Sequence, residues 1–243
     1  MINTIQNGDC LEIMRRIADN SIDLIICDPP YGSTSLSWDS IIPFDKLWLE
    51  YKRICKQGAT ICLFGSGLFT AKLILSNEKD YKYNLIWKKS KCGSPLLAKY
   101  RPMMKHEDIA VFVNGGGKSK TYNPQFTIGK PYSRHNVETK INNHGYGIKT
   151  VNSNNLGTRH PTSILDFPMK WRRQDQVHPT QKPVELMEWL IKSYSNKGET
   201  VLDSCAGSGP VLVAAKNLNR QYIGIEKDVN YFNLTKDKLD NIK

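Results

Sequence analysis

Strand-like and helix-like patterns alternate along most of this chain. The apolar run at residues 22–27 is typical of a buried strand, and similar short runs recur along the sequence. Strands are predicted at residues 22–27, 59–64, 83–87, 109–113, 200–203 and 222–225. Between them, apolar residues at helical spacing predict helices that start near residues 10, 44, 68, 183 and 210. This alternation predicts an α/β fold with a doubly wound, mainly parallel sheet.

The alternation breaks down between residues 114 and 175. This stretch is rich in Asn, Gly, Lys, Arg and Ser, its aromatic residues are scattered, and no helical or strand period persists. We therefore predict an inserted, loop-rich region at residues 114–175. The flanking segments, residues 1–113 and 176–243, then form two halves of one α/β domain, for which 243 residues suffice.

Charge is distributed unevenly along the chain. The net charge is +11, and residues 91–175 alone contain 14 Lys and Arg against 5 Asp and Glu, a net charge of +9. A basic segment that coincides with the loop-rich insertion indicates a surface for nucleic acid, although a solvated basic face is the simpler alternative.

Composition argues against several classes of protein. No apolar run approaches the roughly 20 residues of a membrane helix, and the N-terminus lacks the pattern of a signal peptide. The six cysteines show no metal-ligand spacing. We expect a cytoplasmic protein without disulfides, without a metal and without a membrane segment.

The strand at residues 22–27 is followed directly by Asp28-Pro29-Pro30-Tyr31. In open α/β sheets, ligands bind at the carboxyl edge, where such a strand ends. The two prolines fix φ and remove backbone donors, while their carbonyl groups remain free to accept hydrogen bonds. Asp28 and the Pro29 carbonyl thus form a rigid acceptor pair beside the ring of Tyr31. This arrangement suits an exocyclic amino group on a stacked base, although a plain proline turn is the alternative.

A second constellation lies near the C-terminus. Asp203 ends a strand, the glycine turn at residues 206–209 follows, and Glu226 ends the next strand. The glycines let the backbone approach a ligand, and the helix after them offers free N–H groups. An acid 23 residues after Asp203 suits ribose hydroxyls. A dinucleotide fingerprint is disfavoured at this turn because Leu212 stands where its third glycine would be. Elsewhere, Gly117-Lys118-Ser119 resembles the end of a phosphate loop, but Phe112 stands where that motif needs its first glycine.

Together these motifs resemble the S-adenosylmethionine-dependent amino-group DNA methyltransferases, in the permuted arrangement called the beta class. There the Asp-Pro-Pro-Tyr half comes first, a target-recognition insertion follows, and the glycine turn comes last. The resemblance covers residues 1–113 and 176–243. It implies a Rossmann-like methyltransferase sheet, circularly permuted, with S-adenosylmethionine as cofactor and double-stranded DNA as substrate.

The resemblance also implies roles for individual residues. Asp9 would face the cofactor adenine, Glu226 the ribose, and Gly207 and Gly209 the methionyl part. A plain helix cap is the structural alternative for Asp9, and the two roles are compatible. The full set expected at the cofactor is Asp9, Cys10, Thr180, Lys182, Asp203, Ala206, Gly207, Gly209 and Glu226.

Two stretches of the C-terminal half refine this expectation. Residues 178–183 resemble the family's segment before its glycine-turn strand, so Thr180 and Lys182 would lie at the cofactor, with Lys182 near its carboxylate. An exposed lysine before a helix is the alternative. The glycine turn departs from the family pattern at three positions, since Ser204, Cys205 and Pro210 replace a proline, a phenylalanine and a threonine. The lost ring at Cys205 bears on cofactor affinity.

Transfer of a methyl group to adenine N6 is the activity that the resemblance implies, because an Asp at position 28 is tied to adenine and a Ser to cytosine N4. The catalytic residues would be Asp28, Pro29, Pro30 and Tyr31, with the target base flipped out of the duplex and stacked on Tyr31. No covalent intermediate is needed. Cytosine N4, an RNA base, a protein glutamine, or a catalytically impaired DNA-binding module remain alternatives. A homodimer and a cognate restriction enzyme are left open.

Overall fold

The computed structural model describes residues 1–32, 40–93, 95–134, 153–168 and 181–242. Its strands are β1 (Thr4–Asn7), β2 (Ile22–Cys27), β3 (Cys55–Gly65), β4 (Tyr81–Gly93), β5 (Met104–Val113), β6 (Thr127–Ile128), β7 (Tyr132–Arg134), β8 (Ser153–Asn155), β9 (Thr158–Arg159), β10 (Ile164–Asp166), β11 (Thr200–Asp203) and β12 (Gln221–Glu226). Its helices are α1 (Cys10–Met14), α2 (Phe44–Ile54), α3 (Leu68–Leu75), α4 (Val184–Tyr194), α5 (Pro210–Asn217) and α6 (Val229–Asn241). None of these helices is long and apolar enough to cross a membrane.

Eight of the described strands form one sheet in the order β1-β12-β11-β2-β3-β5-β4-β10. Neighbouring strands run parallel except where β5 pairs with β3 and with β4. One apolar cluster packs α4, α5 and α6 against the sheet, and a second packs α1, α2 and α3. Helices cover both faces, so every residue of β2 is buried. The predicted doubly wound, mainly parallel α/β fold is confirmed.

The two C-terminal strands lie between two N-terminal strands. β11 pairs in parallel with β2, with Leu202 opposite Ile25, and β12 pairs in parallel with β1. The carboxyl ends of β2, β11 and β12 therefore meet at one edge of the sheet, although they come from opposite ends of the chain. The circular permutation itself stays a prediction.

Two strands of the main sheet and one helix were not predicted. β1 is short and mostly polar, α6 has a polar sequence, and β10 lies inside the stretch predicted to be loop-rich. The helix predicted to start near residue 10 ends at Met14. Beyond Met14 the backbone tightens, because Arg16 and Ile17 donate to carbonyl groups three residues earlier.

The chain divides into two compact units. The first comprises Met1–Asn123 and Ser163–Lys243, and the second comprises Pro124–Thr162. The second contains the antiparallel pairs β6–β9 and β7–β8. It starts later than the insertion predicted at residues 114–175, and the predicted end at 175 lies outside the described residues. The target-recognition role of this insertion stays a prediction.

Candidate active site

A cleft opens at the carboxyl ends of β2, β11 and β12. Its volume is ≈ 380 Å³, within the range of about 300–1,000 Å³ that is usual for small-molecule sites. The Asp28 motif and the glycine turn at Gly207 both line it. The sheet order explains this meeting, because the strands before the two motifs are hydrogen-bonded neighbours.

The Asp28-Pro29-Pro30-Tyr31 motif forms one wall of this cleft. The Tyr31 hydroxyl donates to Asp28 Oδ1 at 2.6 Å. The Tyr31 ring packs against Phe69 of α3, with 4.7 Å between ring centroids. Burial, together with the nearby charge of Asp28, raises the pKa of Tyr31, so its hydroxyl remains a donor at neutral pH. The packing on Phe69 holds the ring that was predicted to stack on a base. The Asp28-Pro29-Pro30-Tyr31 motif gave no indication that Phe69 would lie against this ring.

Lys182 lies on the same wall as Asp28. Its Nζ is 2.5 Å from Asp28 Oδ2 and 3.1 Å from Glu107 Oε2. Burial by itself would lower the pKa of Lys182, but the charges of Asp28 and Glu107 outweigh it, so the pKa is raised. The prediction for this lysine was contact with a cofactor carboxylate. In the structure its described ion-pair partners are carboxylates of the protein.

Sequence reasoning missed Glu107. This residue lies on β5 and lines the cleft, with its Oε1 accepting from Lys89 Nζ at 3.0 Å. Burial would raise the pKa of Glu107, but Lys182 and Lys89 outweigh it and lower the pKa. The only sequence signal was an acidic pair just before the apolar end of the strand. Its neighbour Asp108 instead accepts from Thr70.

The opposite wall holds the two acids of the glycine-turn unit. Asp203 is buried, and its Oδ1 accepts from the Cys205 N–H at 3.1 Å. Burial raises the pKa of Asp203 to about 8. Glu226 accepts from the N–H groups of Gly207 and Asp228, both at 2.7 Å. Burial also raises the pKa of Glu226.

The turn requires glycine for two reasons. Gly207 and Gly209 both have positive φ, at 52° and 78°. A Cβ on Gly209 would also lie 2.3 Å from Thr235 Cγ2 of α6. The Ala206 N–H donates to Ile225 O at 2.8 Å, which ties the turn to β12. These contacts place Ala206 and both glycines in the cleft wall or directly beside it.

Asp9 and Cys10 line the same cleft from the start of α1. Asp9 Oδ1 accepts from the Leu11 N–H at 3.0 Å, so Asp9 caps the helix. A hydrogen bond with Cys205 lowers the pKa of the Cys10 thiol, although burial opposes the change. Of the predicted cofactor residues, Thr180 lies outside the described residues.

The three departures from the family pattern have separate structural settings. Ser204 is buried and shares a hydrogen bond of 2.6 Å with Tyr51. Cys205 lines the cleft with its sulfur beside Cys10. Pro210 is the first residue of α5, where its missing N–H costs no helical hydrogen bond. All three residues line the cleft.

The cleft is acidic although the whole chain is basic. Among the described residues that line it, the acids are Asp9, Asp28, Glu107, Asp203, Glu226 and Asp228, and the lysines are Lys182 and Lys227. S-adenosylmethionine carries a sulfonium and an ammonium group, ribose hydroxyls and an adenine amino group. The acceptors and the excess of carboxyl groups fit these cations and donors, so the residues present suit the cofactor that the resemblance implies.

Comparison with protein families supports this picture. A family model described as DNA methylase, of the N6/N4 type, matches residues 22–237. The type II methyltransferase M.HinfI of Haemophilus influenzae is 30% identical over 268 residues, which covers 100% of this chain and 69% of the relative. M.HpaI of Haemophilus parainfluenzae is 28% identical over 249 residues, which covers 96% of this chain and 73% of the relative.

Solved structures share the fold. The M1.HpyAVI–SAM complex superposes with a TM-score of 0.64 at 23% identity, over 97% of this chain and 98% of the other. The cytosine-N4-specific PvuII DNA methyltransferase gives a TM-score of 0.67 at 14% identity, over 98% of this chain and 87% of the other. Both likenesses extend across nearly the whole chain.

Proposed function

The chain belongs to the S-adenosylmethionine-dependent DNA amino-methyltransferases of the N6/N4 type, and from that premise we propose that its acceptor is the N6 amino group of adenine. The observation that carries the proposal is the position of Asp28. It follows β2 at the sheet edge, and it faces the same cleft as Gly207 and Glu226. An Asp at this position is the residue that the resemblance ties to adenine.

Asp28 would act as the acceptor for the amino group. The nitrogen lone pair of an exocyclic amine is delocalised into the base, which makes it a poor nucleophile. Hydrogen bonds from its N–H groups to Asp28 and to the Pro29 carbonyl favour the form in which that lone pair is localised. This stabilisation is largest in the transition state, where positive charge develops on the nitrogen.

The opposite wall would hold the cofactor, which supplies the electrophilic methyl group when bound. We assign Glu226 to the ribose hydroxyls, Asp9 to the adenine, and Gly207 with Gly209 to the methionyl part. The hydrogen bond from the Cys205 N–H to Asp203 stabilises the start of the turn. Cys10 and Ala206 complete this wall, and Thr180 is proposed for it on the resemblance alone.

The DNA would bind through the basic part of the chain. Residues 91–175 have a net charge of +9, and the second unit, Pro124–Thr162, lies within that range. We propose that double-stranded DNA binds there and that the protein works in the cytoplasm. Sedimentation of the purified protein tests whether it forms a homodimer. Affinity for DNA should fall steeply between 50 and 200 mM salt, roughly 10³-fold for about six phosphate contacts. A flat salt response would contradict the nucleic-acid assignment of these residues.

The decisive experiment identifies the modified base. Purified protein is incubated with unmethylated DNA and S-adenosylmethionine, and the product is sequenced by a method that distinguishes N6-methyladenine from N4-methylcytosine. We expect N6-methyladenine at one recurring sequence. N4-methylcytosine would support the alternative acceptor that the fold also serves. A protein that binds DNA but shows no calorimetric binding of the cofactor would support the catalytically impaired module.

A further inference from the structure

Both oxygens of Asp28 already have donors inside the protein. Tyr31 donates to Oδ1 at 2.6 Å, and Lys182 donates to Oδ2 at 2.5 Å. An ammonium group is a stronger partner for a carboxylate than a neutral amine is. A base amino group that approaches Asp28 must therefore compete with Lys182, and the proposed function needs a way to weaken that pair at the right moment.

Glu107 offers an alternative place for the ammonium group. Its Oε2 is buried and accepts no hydrogen bond from the described residues, although Lys182 Nζ is only 3.1 Å away. The separation is that of an ion pair, but the lysine is not oriented to donate along it. The other oxygen, Oε1, is already taken by Lys89. Glu107 Oε2 thus lies in ion-pair contact with Lys182 without a well-aligned hydrogen bond.

The surroundings of Lys182 keep it near both carboxylates. Its side chain is 8% exposed, and its Nζ lies 5.2 Å from the centre of the Phe64 ring and 6.0 Å from that of Trp87. A buried ammonium group without a carboxylate partner is strongly unfavourable. Lys182 can therefore leave Asp28 only if another acceptor is within reach, and a small rotation brings it to Glu107 Oε2.

We propose that Glu107 is a positioning residue that accepts Lys182 when the target amino group binds Asp28. The inference rests on the proposed function, since it needs an amino group as the incoming donor. The exchange leaves both charged groups with a hydrogen-bonding partner. Lys182 stays compensated by Glu107, and Asp28 Oδ2 becomes free to accept from the base. Glu107 touches neither the base nor the methyl group and acts only through Lys182.

The first test removes the charge of Glu107. Glu107→Gln keeps the shape of the side chain but leaves Lys182 bound to Asp28 alone. We expect kcat to fall roughly 10-fold to 100-fold, as for the loss of one charged hydrogen bond. Calorimetric affinity for S-adenosylmethionine should be unchanged. Glu78→Gln is the matched control, because Glu78 is exposed outside the cleft and its loss removes the same charge.

The second test restores the charge balance. Asp28, Lys182 and Glu107 together carry one net negative charge, Glu107→Gln makes the trio neutral, and the added Lys182→Met returns it to one negative charge. We expect the double variant to be about 10-fold faster than Glu107→Gln, because nothing then competes for Asp28. A merely structural role for Glu107 predicts that the two losses accumulate. Urea unfolding gives a readout without catalysis: Lys182→Met should lower the midpoint strongly, and added Glu107→Gln should recover part of it.

The outcomes separate the exchange from the proposed function. If the wild-type protein transfers no methyl group to DNA, both fail together. An active wild type with an equally active Glu107→Gln variant overturns the exchange alone. A double variant that is no faster than Glu107→Gln also overturns the exchange. The same holds if added Glu107→Gln does not recover the urea midpoint of Lys182→Met, or if weaker cofactor binding is the only defect of Glu107→Gln.

Discussion

The two walls of the cleft hold their carboxylates in different ways. We name them for their proposed roles: the catalytic wall contains Asp28, and the cofactor wall contains Glu226. On the catalytic wall, side chains pair with side chains, since Lys182 lies between Asp28 and Glu107. On the cofactor wall, backbone N–H groups bind the carboxylate, since those of Gly207 and Asp228 donate to Glu226. Side-chain partners can be exchanged by rotation, whereas backbone donors are fixed by the fold. The wall proposed to admit a base is therefore adaptable, and the wall proposed to hold the cofactor is rigid.

The same difference appears in proton affinity. On the catalytic wall, charge pairing outweighs burial, so the pKa of Glu107 is lowered and that of Lys182 is raised. On the cofactor wall, burial dominates, so the pKa of Asp203 rises to about 8 and that of Glu226 also rises. Backbone dipoles moderate the cost of burial without cancelling it.

The largest expected effect comes from breaking the catalytic wall at its centre. Asp28→Ala removes the acceptor of the amino group, and we expect kcat to fall by at least about 10²–10³-fold. Cofactor binding by calorimetry and DNA binding by gel shift should persist, because the fixed wall and the basic segment are intact. Loss of all three together would show that Asp28 is structural.

A smaller effect should follow on the cofactor wall. Glu226→Gln places an amide N–H₂ opposite one of the backbone donors of Gly207 or Asp228, which disturbs a rigid frame that cannot re-pair. We expect affinity for S-adenosylmethionine to fall about 10-fold, with kcat at saturating cofactor nearly unchanged. Titration calorimetry measures the affinity for S-adenosylmethionine, with Glu78→Gln as the control variant. Steady-state rates measure kcat. A loss in kcat without a loss in cofactor affinity would indicate that Glu226 acts in the reaction and not in cofactor binding.

The smallest effect concerns stability and pH. The pKa of Asp203 is raised from an unfolded value of about 3.9 to about 8 in the folded protein. The folded state therefore binds the proton more tightly, and the Asp203 contribution to stability falls as pH rises between these values. Asp203→Asn mimics the protonated acid and should be more stable than wild type at pH 8 by at least about 1.4 kcal/mol.

Urea unfolding at several pH values checks this sign. The advantage of Asp203→Asn should shrink towards pH 4, where the wild-type acid is protonated in the folded state and about half protonated in the unfolded state. The lowered pKa of Glu107 has the opposite consequence, because its contribution is present above its unfolded pKa and is lost as pH falls through the folded one. An advantage of Asp203→Asn that is the same at every pH would contradict the raised pKa.

Local pattern was enough to find the residues at strand ends. Asp28 and Glu226 each follow an apolar run, and a carboxyl edge is where such residues meet ligands. Local pattern failed where partners lie far apart in sequence. Glu107 lies beside Lys182 only because β5 brings it to the segment before α4. β10 was missed for the same reason, since its few residues are a strand only when paired with β4.

The sequence by itself determined the kind of fold, the order of its motifs and the chemistry they carry, because hydrophobic period, proline and glycine act over a few residues. The tertiary structure alone decided which charges face each other. The sequence suggested a cofactor carboxylate as a partner of Lys182, and only packing revealed that Asp28 and Glu107 lie beside it. Ion pairing depends on distances of a few ångströms between segments that the chain order does not relate, and only the assembled sheet sets those distances.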